Sequence, residues 1–265
     1  MNGRELCDAA TANFVVYASW AARRNPGALV ESTASLTMVD SGLRTDTFNV
    51  VCGARLRAGD VPAIARRVVA HFRSVDRPFS WWVAPGDQPE DLAGRLAEAG
   101  LERQETELAM AIEISTLAPG PAGPAGTEVR EATTPSDIGT FARINAENWD
   151  PPDADVEAFY RTAAPRLLAG DSPQRLFVAR RDGEPVGALE LTLAACVGGI
   201  YNLSTRVAHR RRGIGGALLE RACRYAEESG AGTVVLQASP AGASLYRAFG
   251  FREFGLIEEL KPCHA

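Results

Sequence analysis

The sequence predicts an α/β (α+β) fold, a mixed β-sheet flanked by helices, occurring in two tandem domains. Three observations predict it. Strand-like and helix-like segments alternate through the second half, a proline- and glycine-rich segment interrupts the middle, and the two halves are alike in register. A length of 265 residues suits two domains of ordinary size, and 46% hydrophobic content gives each a core to bury.

In the second half, Thr127–Glu131 reads as a short strand ending at the helix-start cluster Thr133-Thr134-Pro135-Ser136-Asp137. Helices are expected over residues 136–148 and 153–168, separated by Pro151-Pro152. The apolar runs 176–180 and 185–194 flank Asp182-Gly183, a hairpin signal. A strand over 199–207 leads into the turn 210–216, and a helix over 214–229 stops at Gly230. A β-branched strand (233–238), a short helix (241–249) and a last strand (251–260) complete the order β-α-α-β-β-β-α-β-α-β, with helices on both faces.

Residues 117–126 read Leu-Ala-Pro-Gly-Pro-Ala-Gly-Pro-Ala-Gly, which sustains neither helix nor central strand. They are expected to link a domain of residues 1–116 to one of residues 127–265. Sliding one half over the other places Phe48-Asn49 on Tyr201-Asn202 and Arg57 on Arg210, both 153 apart (201 − 48 and 210 − 57). The apolar stripe Val61, Ile64, Ala65, Val69, Phe72 falls on Ile214, Ala217, Leu218, Ala222, Tyr225, and Ser80-Trp81-Trp82-Val83 on Thr233-Val234-Val235-Leu236. A duplication is expected.

Composition excludes some functions. A net charge of −5 and a pI near 5.4 do not supply the basic footprint of a nucleic-acid binder. No run approaches the ~20 apolar residues of a membrane span, and the first residues carry no signal-peptide pattern. The five cysteines are odd in number and none has metal-ligand spacing, so no metal site and a reducing, cytoplasmic setting are expected.

The chemistry gathers at Arg210–Gly216. Gly213 and Gly215 stand between a strand and a helix, where glycine permits a tight turn and leaves room for a ligand. The first N–H groups of that helix lack intrahelical partners and, with the macrodipole, suit a phosphate or pyrophosphate; Arg210, Arg211 and Arg212 add positive charge. A dinucleotide fingerprint would need glycine where Leu218 stands, and no Gly-Lys-Ser/Thr of a P-loop follows.

The run Thr205-Arg206-Val207-Ala208-His209-Arg210-Arg211-Arg212-Gly213-Ile214-Gly215-Gly216 resembles the Arg/Gln-x-x-Gly-x-Gly/Ala motif of the GNAT acetyltransferase superfamily. Leu236-Gln237-Ala238-Ser239, followed by Ala243-Ser244-Leu245-Tyr246-Arg247-Ala248-Phe249-Gly250-Phe251, is similar to that family's second signature. The resemblance covers residues 127–260 strongly, and 28–114 only through the internal repeat. It implies an N-acetyltransferase with acetyl-CoA as cosubstrate, bound by Leu203, Thr205, Val207, Arg210, Arg211, Arg212, Gly213, Ile214, Gly215, Gly216 and Ser239. The backbone of Leu203 and Thr205 is expected on the thioester and pantetheine arm, the N–H groups from Arg211 to Gly216 on the pyrophosphate, and Ser239 on the pantetheine. Tyr246 takes the place of the tyrosine that protonates the departing thiolate. The amine attacks the thioester through a tetrahedral intermediate whose oxyanion the Leu203 N–H stabilises.

Many relatives carry a glutamate on the strand before the glycine turn. Here Gly198-Gly199-Ile200-Tyr201-Asn202 holds none, which leaves Glu147, Asp150 or Glu190 acting through water, each otherwise a solvated carboxylate. His209 is expected at the surface, and Trp149 and Tyr160 in core packing or an acceptor pocket. In the first half, Arg57-Ala58-Gly59-Asp60-Val61-Pro62 falls on the pyrophosphate turn, where Asp60 brings negative charge and a helix cap, and Pro62 removes an N–H. Leu96 or Ala93 falls near Tyr246, and neither donates a proton. The first half therefore reads as a degenerate GNAT-like domain, and the second as the enzyme. The leading acceptor is a small-molecule amine. The alternatives are a protein or peptide acceptor, and a non-catalytic acyl-CoA sensor or scaffold.

Overall fold

The computed structural model describes residues 1–118 and 124–263. Five residues of the expected linker, 119–123, lie outside the described residues. The elements are α1 (Gly3–Trp20), β1 (Leu29–Ser32), β2 (Thr37–Asp40), β3 (Val50–Cys52), α2 (Val61–Ser74), β4 (Ser80–Val83), α3 (Leu92–Glu98) and β5 (Leu101–Glu113). Then follow β6 (Thr127–Glu131), α4 (Pro135–Ala146), α5 (Ala154–Leu167), β7 (Gln174–Arg181), β8 (Glu184–Ala194) and β9 (Val197–Thr205). The last are α6 (Ile214–Glu228), β10 (Thr233–Ala238), α7 (Ala243–Ala248) and β11 (Arg252–Pro262).

The chain forms two compact units, one of residues 1–109 with 254–265 and the other of residues 110–253. This corrects the expected division at residues 117–126. The chain leaves the first unit within β5 and returns to it within β11. The reason is strand pairing: Glu258, Glu259 and Leu260 of β11 pair antiparallel with Val83, Trp82 and Trp81 of β4.

In the first unit β1, β2 and β3 run antiparallel, and β3 pairs parallel with β4. Trp81, Phe72, Phe79, Leu92 and Leu96 fill its core. A capping box between Asn2 and Glu5, 2.9 Å in each direction, starts α1.

In the second unit β6, β7, β8 and β9 form an antiparallel meander, and β10 adds parallel to β9. Thr134 and Asp137 cap α4 reciprocally with Pro135 just inside, and Asp153 caps α5 through the Asp155 N–H. A Cβ on Gly187 of β8 would stand 2.9 Å from Ile214 and 3.0 Å from Leu218, so α6 lies on that face. The next residue, Ala188, pairs with Ser204, whose hydroxyl donates to Asn145 of α4 at 2.8 Å. Because strand side chains alternate, α4 covers the opposite face. The expected element order of the second half is observed throughout, with Thr127–Glu131 and Thr233–Ala238 at the expected bounds.

The repeat holds only in part. Val61 and Ile214 both open helices, and Ser80 and Thr233 both open strands, at the expected offset. The strand before the helix does not keep it. Val50 pairs with Ser80 but Val197 with Thr233, so the stretch from the first paired residue to the helix is six residues shorter in the first unit (61 − 50 against 214 − 197), although the loops after β3 and β9 are equally long.

Candidate active site

After β9 the chain makes one 3-10 turn, Val207–His209, and reaches the arginine run. Arg211 takes a left-handed φ of 58° and Gly213 one of 82°. The first is uncommon for a residue with a side chain and the second is natural for glycine. The chain therefore curls into α6 with Gly213 as N-cap and no side chain satisfying the helix start. The Ala217 N–H donates to the Gly213 carbonyl at 3.0 Å, which leaves Ile214, Gly215 and Gly216 with N–H groups that have no intrahelical acceptor. Arg210, Arg211 and Arg212 are exposed beside them, and Val207 is 73% exposed. A Cβ on Gly215 would lie 3.3 Å from Leu245 Cδ2 of α7, so a side chain there would fill the space over the helix start. Open N–H groups, a positive helix end and three arginines fit the pyrophosphate of acetyl-CoA.

The strand leading into the turn departs from its neighbour. Parallel pairing of β9 with β10 runs from Val197↔Thr233 to Ile200↔Leu236, where the register ends, although β9 continues to Thr205 and β10 to Ala238. On the other edge of β9, Tyr201 pairs with Glu190 and Ser204 with Ala188, so both Asn202 and Leu203 lie opposite Leu189. This is a β-bulge, and Asn202 at its start has φ 52°. Beyond it, the Arg210 Nε donates to the Thr205 carbonyl at 3.0 Å. Leu203 and Thr205 thus lie on the stretch of β9 beyond its last pair with β10, ahead of the glycine turn.

From β10 the chain passes Ser239, whose Oγ accepts from the Gly242 N–H at 3.3 Å. A Cβ on Gly242 would be 3.4 Å from both Ser239 Oγ and Tyr246 Cε2, which brings these two expected residues to one corner. Tyr246 is mostly buried on α7, edge-on to Phe251 with centroids 5.9 Å apart. With Leu245 against Gly215, α7 stands beside the first turn of α6.

The carboxylates sort differently from the expectation. Glu147 is held by a bidentate pair with Arg206, at 2.7 and 2.9 Å. Glu190 is not solvated: it is 1% exposed on β8, on the face covered by α4 and α5. Its Oε2 accepts from the Tyr160 hydroxyl at 2.7 Å and Asn202 Nδ2 at 3.1 Å, and its Oε1 from Gln174 Nε2 at 2.8 Å. Asn202 Nδ2 also donates to Tyr160 Oη at 2.8 Å. Burial pushes the Glu190 carboxyl up to about 7, against the pull of the Tyr160 and Asn202 hydrogen bonds. Tyr160 is thus a core residue, edge-on to Phe141 and Phe159, with its hydroxyl in this cluster. Trp149 is 45% exposed and is not core. His209 is mostly buried rather than at the surface, with Nε2 3.7 Å from Glu184.

Sequence reading missed the Glu190–Tyr160–Gln174–Asn202 cluster and a second link, in which Asn148 Nδ2 donates to Ser204 Oγ at 2.7 Å and ties the α4–α5 connection to β9. The signal for the first was present: Glu190 interrupts an apolar strand between Leu189 and Leu191.

The matching region of the first unit is built shut. Past β3 and β4, the Gln88 N–H donates to the Ala54 carbonyl at 2.8 Å and the Leu56 N–H to the Gln88 carbonyl at 3.0 Å, with Arg55 and Gln88 bridged in parallel. The strands that diverge in the second unit are here continued by backbone pairing. Helix α1 packs on the same place: a Cβ on Gly53 would be 2.8 Å from Val15 Cγ2, and one on Gly86 3.0 Å from Cys7 Cβ. Asp60 is the residue before α2 but makes no side-chain cap, and a 3-10 turn, Ala58–Asp60, supplies the start instead. Leu96 and Ala93, the counterparts of Tyr246, both lie in α3 and pack with the core.

Among the described residues no group of three or more His, Cys, Asp or Glu is placed to hold a metal, and no helix is long and apolar enough to cross a membrane.

Residues 140–251 match the Acetyltransferase (GNAT) family. Acetyl-CoA, the cosubstrate expected from the sequence, is the donor in this family's reaction. Similar solved structures include a GCN5-related N-acetyltransferase from Kribbella flavida, with TM-score 0.70, 20% identity and 96% of each chain covered. A GCN5-related N-acetyltransferase from Sphaerobacter thermophilus has TM-score 0.60 and 17% identity, covering 97% of this chain and 92% of its own. A tandem GNAT protein from the clavulanic acid biosynthesis pathway has TM-score 0.61 and 15% identity, covering 97% and 96%. No curated relative matches the chain. At these identities the structures establish the fold, and they do so over nearly the whole chain. The match over the glycine turn, the divergent strands and α7 makes residues 140–251 an acetyltransferase domain of the GNAT family.

Proposed function

We propose that the second unit transfers the acetyl group of acetyl-CoA to the amine of a small molecule, and that the first unit is a degenerate copy that binds no cofactor. The observation that carries this reading is the divergence of β9 from β10 after Ile200↔Leu236, directly before a helix start with open N–H groups. Acetyl-CoA supplies an activated acyl thioester. The N–H groups from Arg211 to Gly216, with Arg210 to Arg212 nearby, hold the pyrophosphate, and Val207 and Ile214 flank that turn. The backbone of Leu203 and Thr205 lines the thioester and pantetheine arm, with the Leu203 N–H as donor to the thioester carbonyl. Ser239 contacts the pantetheine. Tyr246 Oη holds the proton that the departing thiolate takes up; a phenol of pKa near 10 matches that task. We place the enzyme in the cytoplasm, consistent with five unpaired cysteines among the described residues.

The test is thiol release from acetyl-CoA over a panel of small amines and of peptides with free α- or ε-amines. Turnover with small amines supports the reading. Turnover confined to peptides assigns a protein acceptor, and tight acetyl-CoA binding without turnover on either panel makes the chain a sensor or scaffold.

A further inference from the structure

We propose that Glu190 is a positioning residue for acetyl transfer: through Asn202 and Tyr160 it fixes the left-handed bulge in β9 that sets the Leu203 N–H. The inference rests on the acetyltransferase reading above, which by itself gives Glu190 no role. Three facts converge on it. First, Asn202 occupies a backbone conformation that L-residues with side chains seldom adopt, at φ 52°, and this costs free energy unless the surroundings hold it. Second, a contact holds it there. The Asn202 side-chain amide donates to both Glu190 Oε2 and Tyr160 Oη, and Tyr160 in turn donates to the same carboxylate oxygen. Third, Glu190 is itself anchored, because Gln174 on β7 donates to its other oxygen. A carboxylate accepting from residues on β7, α5 and β9 ties three elements to one buried point.

The consequence for chemistry is geometric. The bulge puts two residues, Asn202 and Leu203, opposite Leu189 alone. It comes just past the last β9–β10 pair, Ile200↔Leu236. Relaxing Asn202 into regular strand geometry would shift the following N–H by one position and turn Leu203 to the other face. A donor misplaced by about 1 Å loses much of its transition-state stabilisation. Glu190 is buried, with both carboxylate oxygens occupied by Tyr160, Asn202 and Gln174, and acts through the backbone it fixes.

Four proteins test this: Glu190→Ala, Glu190→Gln, Asn202→Gly and the double variant Glu190→Ala with Asn202→Gly. Glycine tolerates the positive φ but lacks the amide that meets Glu190. We expect Glu190→Ala to lower kcat about 10–100-fold with the KM for acetyl-CoA little changed. Glu190→Gln, which keeps one acceptor oxygen, recovers part of that loss. Adding Glu190→Ala to Asn202→Gly costs little more, so that the two effects fall short of multiplying. Amide hydrogen exchange, read independently of activity, accelerates at Asn202–Ser204 in Glu190→Ala but not in β10. The proposal is overturned by wild-type kcat and exchange in Glu190→Ala, or by penalties that multiply while only thermal stability falls in each single variant. A wild-type protein that transfers no acetyl group sinks the acetyltransferase reading alone, because exchange at the bulge still decides what Glu190 holds.

Discussion

The two strand–turn–helix regions, 50–61 and 197–214, start from one plan and end as a wall and as a slot. In the second unit β9 leaves β10, bulges at Asn202 and turns through Arg211 and Gly213 into an uncapped helix. In the first, pairing with the next strand begins six residues nearer the helix, the strands stay paired through Ala54, Leu56 and Gln88, and α1 rests on Gly53 and Gly86. What separates them is mainly backbone. A binding turn needs unpaired N–H groups and space, and the first unit spends both on its own stability. The negative charge of Asp60 is a lesser difference than the closed ladder behind it.

The largest expected effect comes from placing a carboxylate in the open turn. Gly215→Glu sets a negative charge at the pyrophosphate and fills the space next to Leu245. A like charge ~4 Å away costs roughly 4 kcal/mol at an effective dielectric of 20, so acetyl-CoA affinity should fall by about 10³-fold in calorimetric titration, with the circular dichroism spectrum retained. The converse change, Asp60→Gly with Pro62→Ala in the first unit, should leave the stoichiometry at one acetyl-CoA per chain, because the Ala54–Gln88–Leu56 ladder still closes that side. A second equivalent in the double variant, or in the wild type, would break the contrast between wall and slot.

Next in size is Tyr246→Phe. The ring and its packing on Phe251 stay, and the proton is lost. General-acid catalysis is worth typically ~10²–10⁴-fold, and kcat should fall within that range with acetyl-CoA affinity unchanged. Single-turnover measurements, where chemistry limits, are the check; a wild-type rate would assign the proton to water. No parallel experiment exists in the first unit, since Leu96 and Ala93 carry no proton to lose.

Much of the second unit is legible from sequence because its signals are local. Thr134 with Asp137, Asp182-Gly183 and the glycines after the arginine run each act within a few residues, and each stands where expected. What was not legible depends on distant partners. β11 belongs to the first unit because it pairs with β4, and no local pattern in residues 251–260 encodes that partner. Glu190 reads as a solvated carboxylate until Tyr160, Gln174 and Asn202 are brought around it. The repeat misleads at its first strand: helix and second-strand starts hold register, but β3 pairs with its neighbour six residues out of it, so Phe48-Asn49 does not occupy the place of Tyr201-Asn202. An aspartate before a helix suggests a cap, yet Asp60 closes a 3-10 turn and its side chain caps nothing.

A smaller effect separates a glycine kept for stability from one kept for binding. Gly53 has φ +68° and faces Val15 at 2.8 Å from an added Cβ. Gly53→Ala forces both an unfavourable backbone and a clash with α1, which together should destabilise by about 1–3 kcal/mol. Acetyl-CoA affinity should be unchanged, since the slot lies in the other unit. Urea denaturation and titration of the same sample read the two effects separately. A loss of affinity equal to that of Gly215→Glu would mean that the first unit takes part in binding after all.

The smallest effect lies in the pH dependence of stability, and it isolates the buried carboxylate behind the slot. Burial raises the Glu190 carboxyl from 4.5 to about 7, so the folded protein holds this proton over a range where the unfolded chain has released it. Stability from this group is therefore complete below pH ~4.5 and is lost as pH rises through about 7. Asp87 in the first unit and Glu107 on β5 are also raised to about 7 by burial and contribute with the same sign. The wild-type curve alone therefore cannot assign the slope, whereas its difference from Glu190→Gln can, because that variant deletes one titration and keeps the size of the side chain. Between pH 6 and 8 the wild type should lose about 1 kcal/mol more than Glu190→Gln in urea denaturation at fixed ionic strength. Parallel curves for the two proteins would mean that Glu190 is already ionised at pH 6, with its three hydrogen-bond donors outweighing burial. The carboxylate that holds the bulge would then be charged throughout the working range, and kcat should show no step near pH 7 that Glu190→Gln removes.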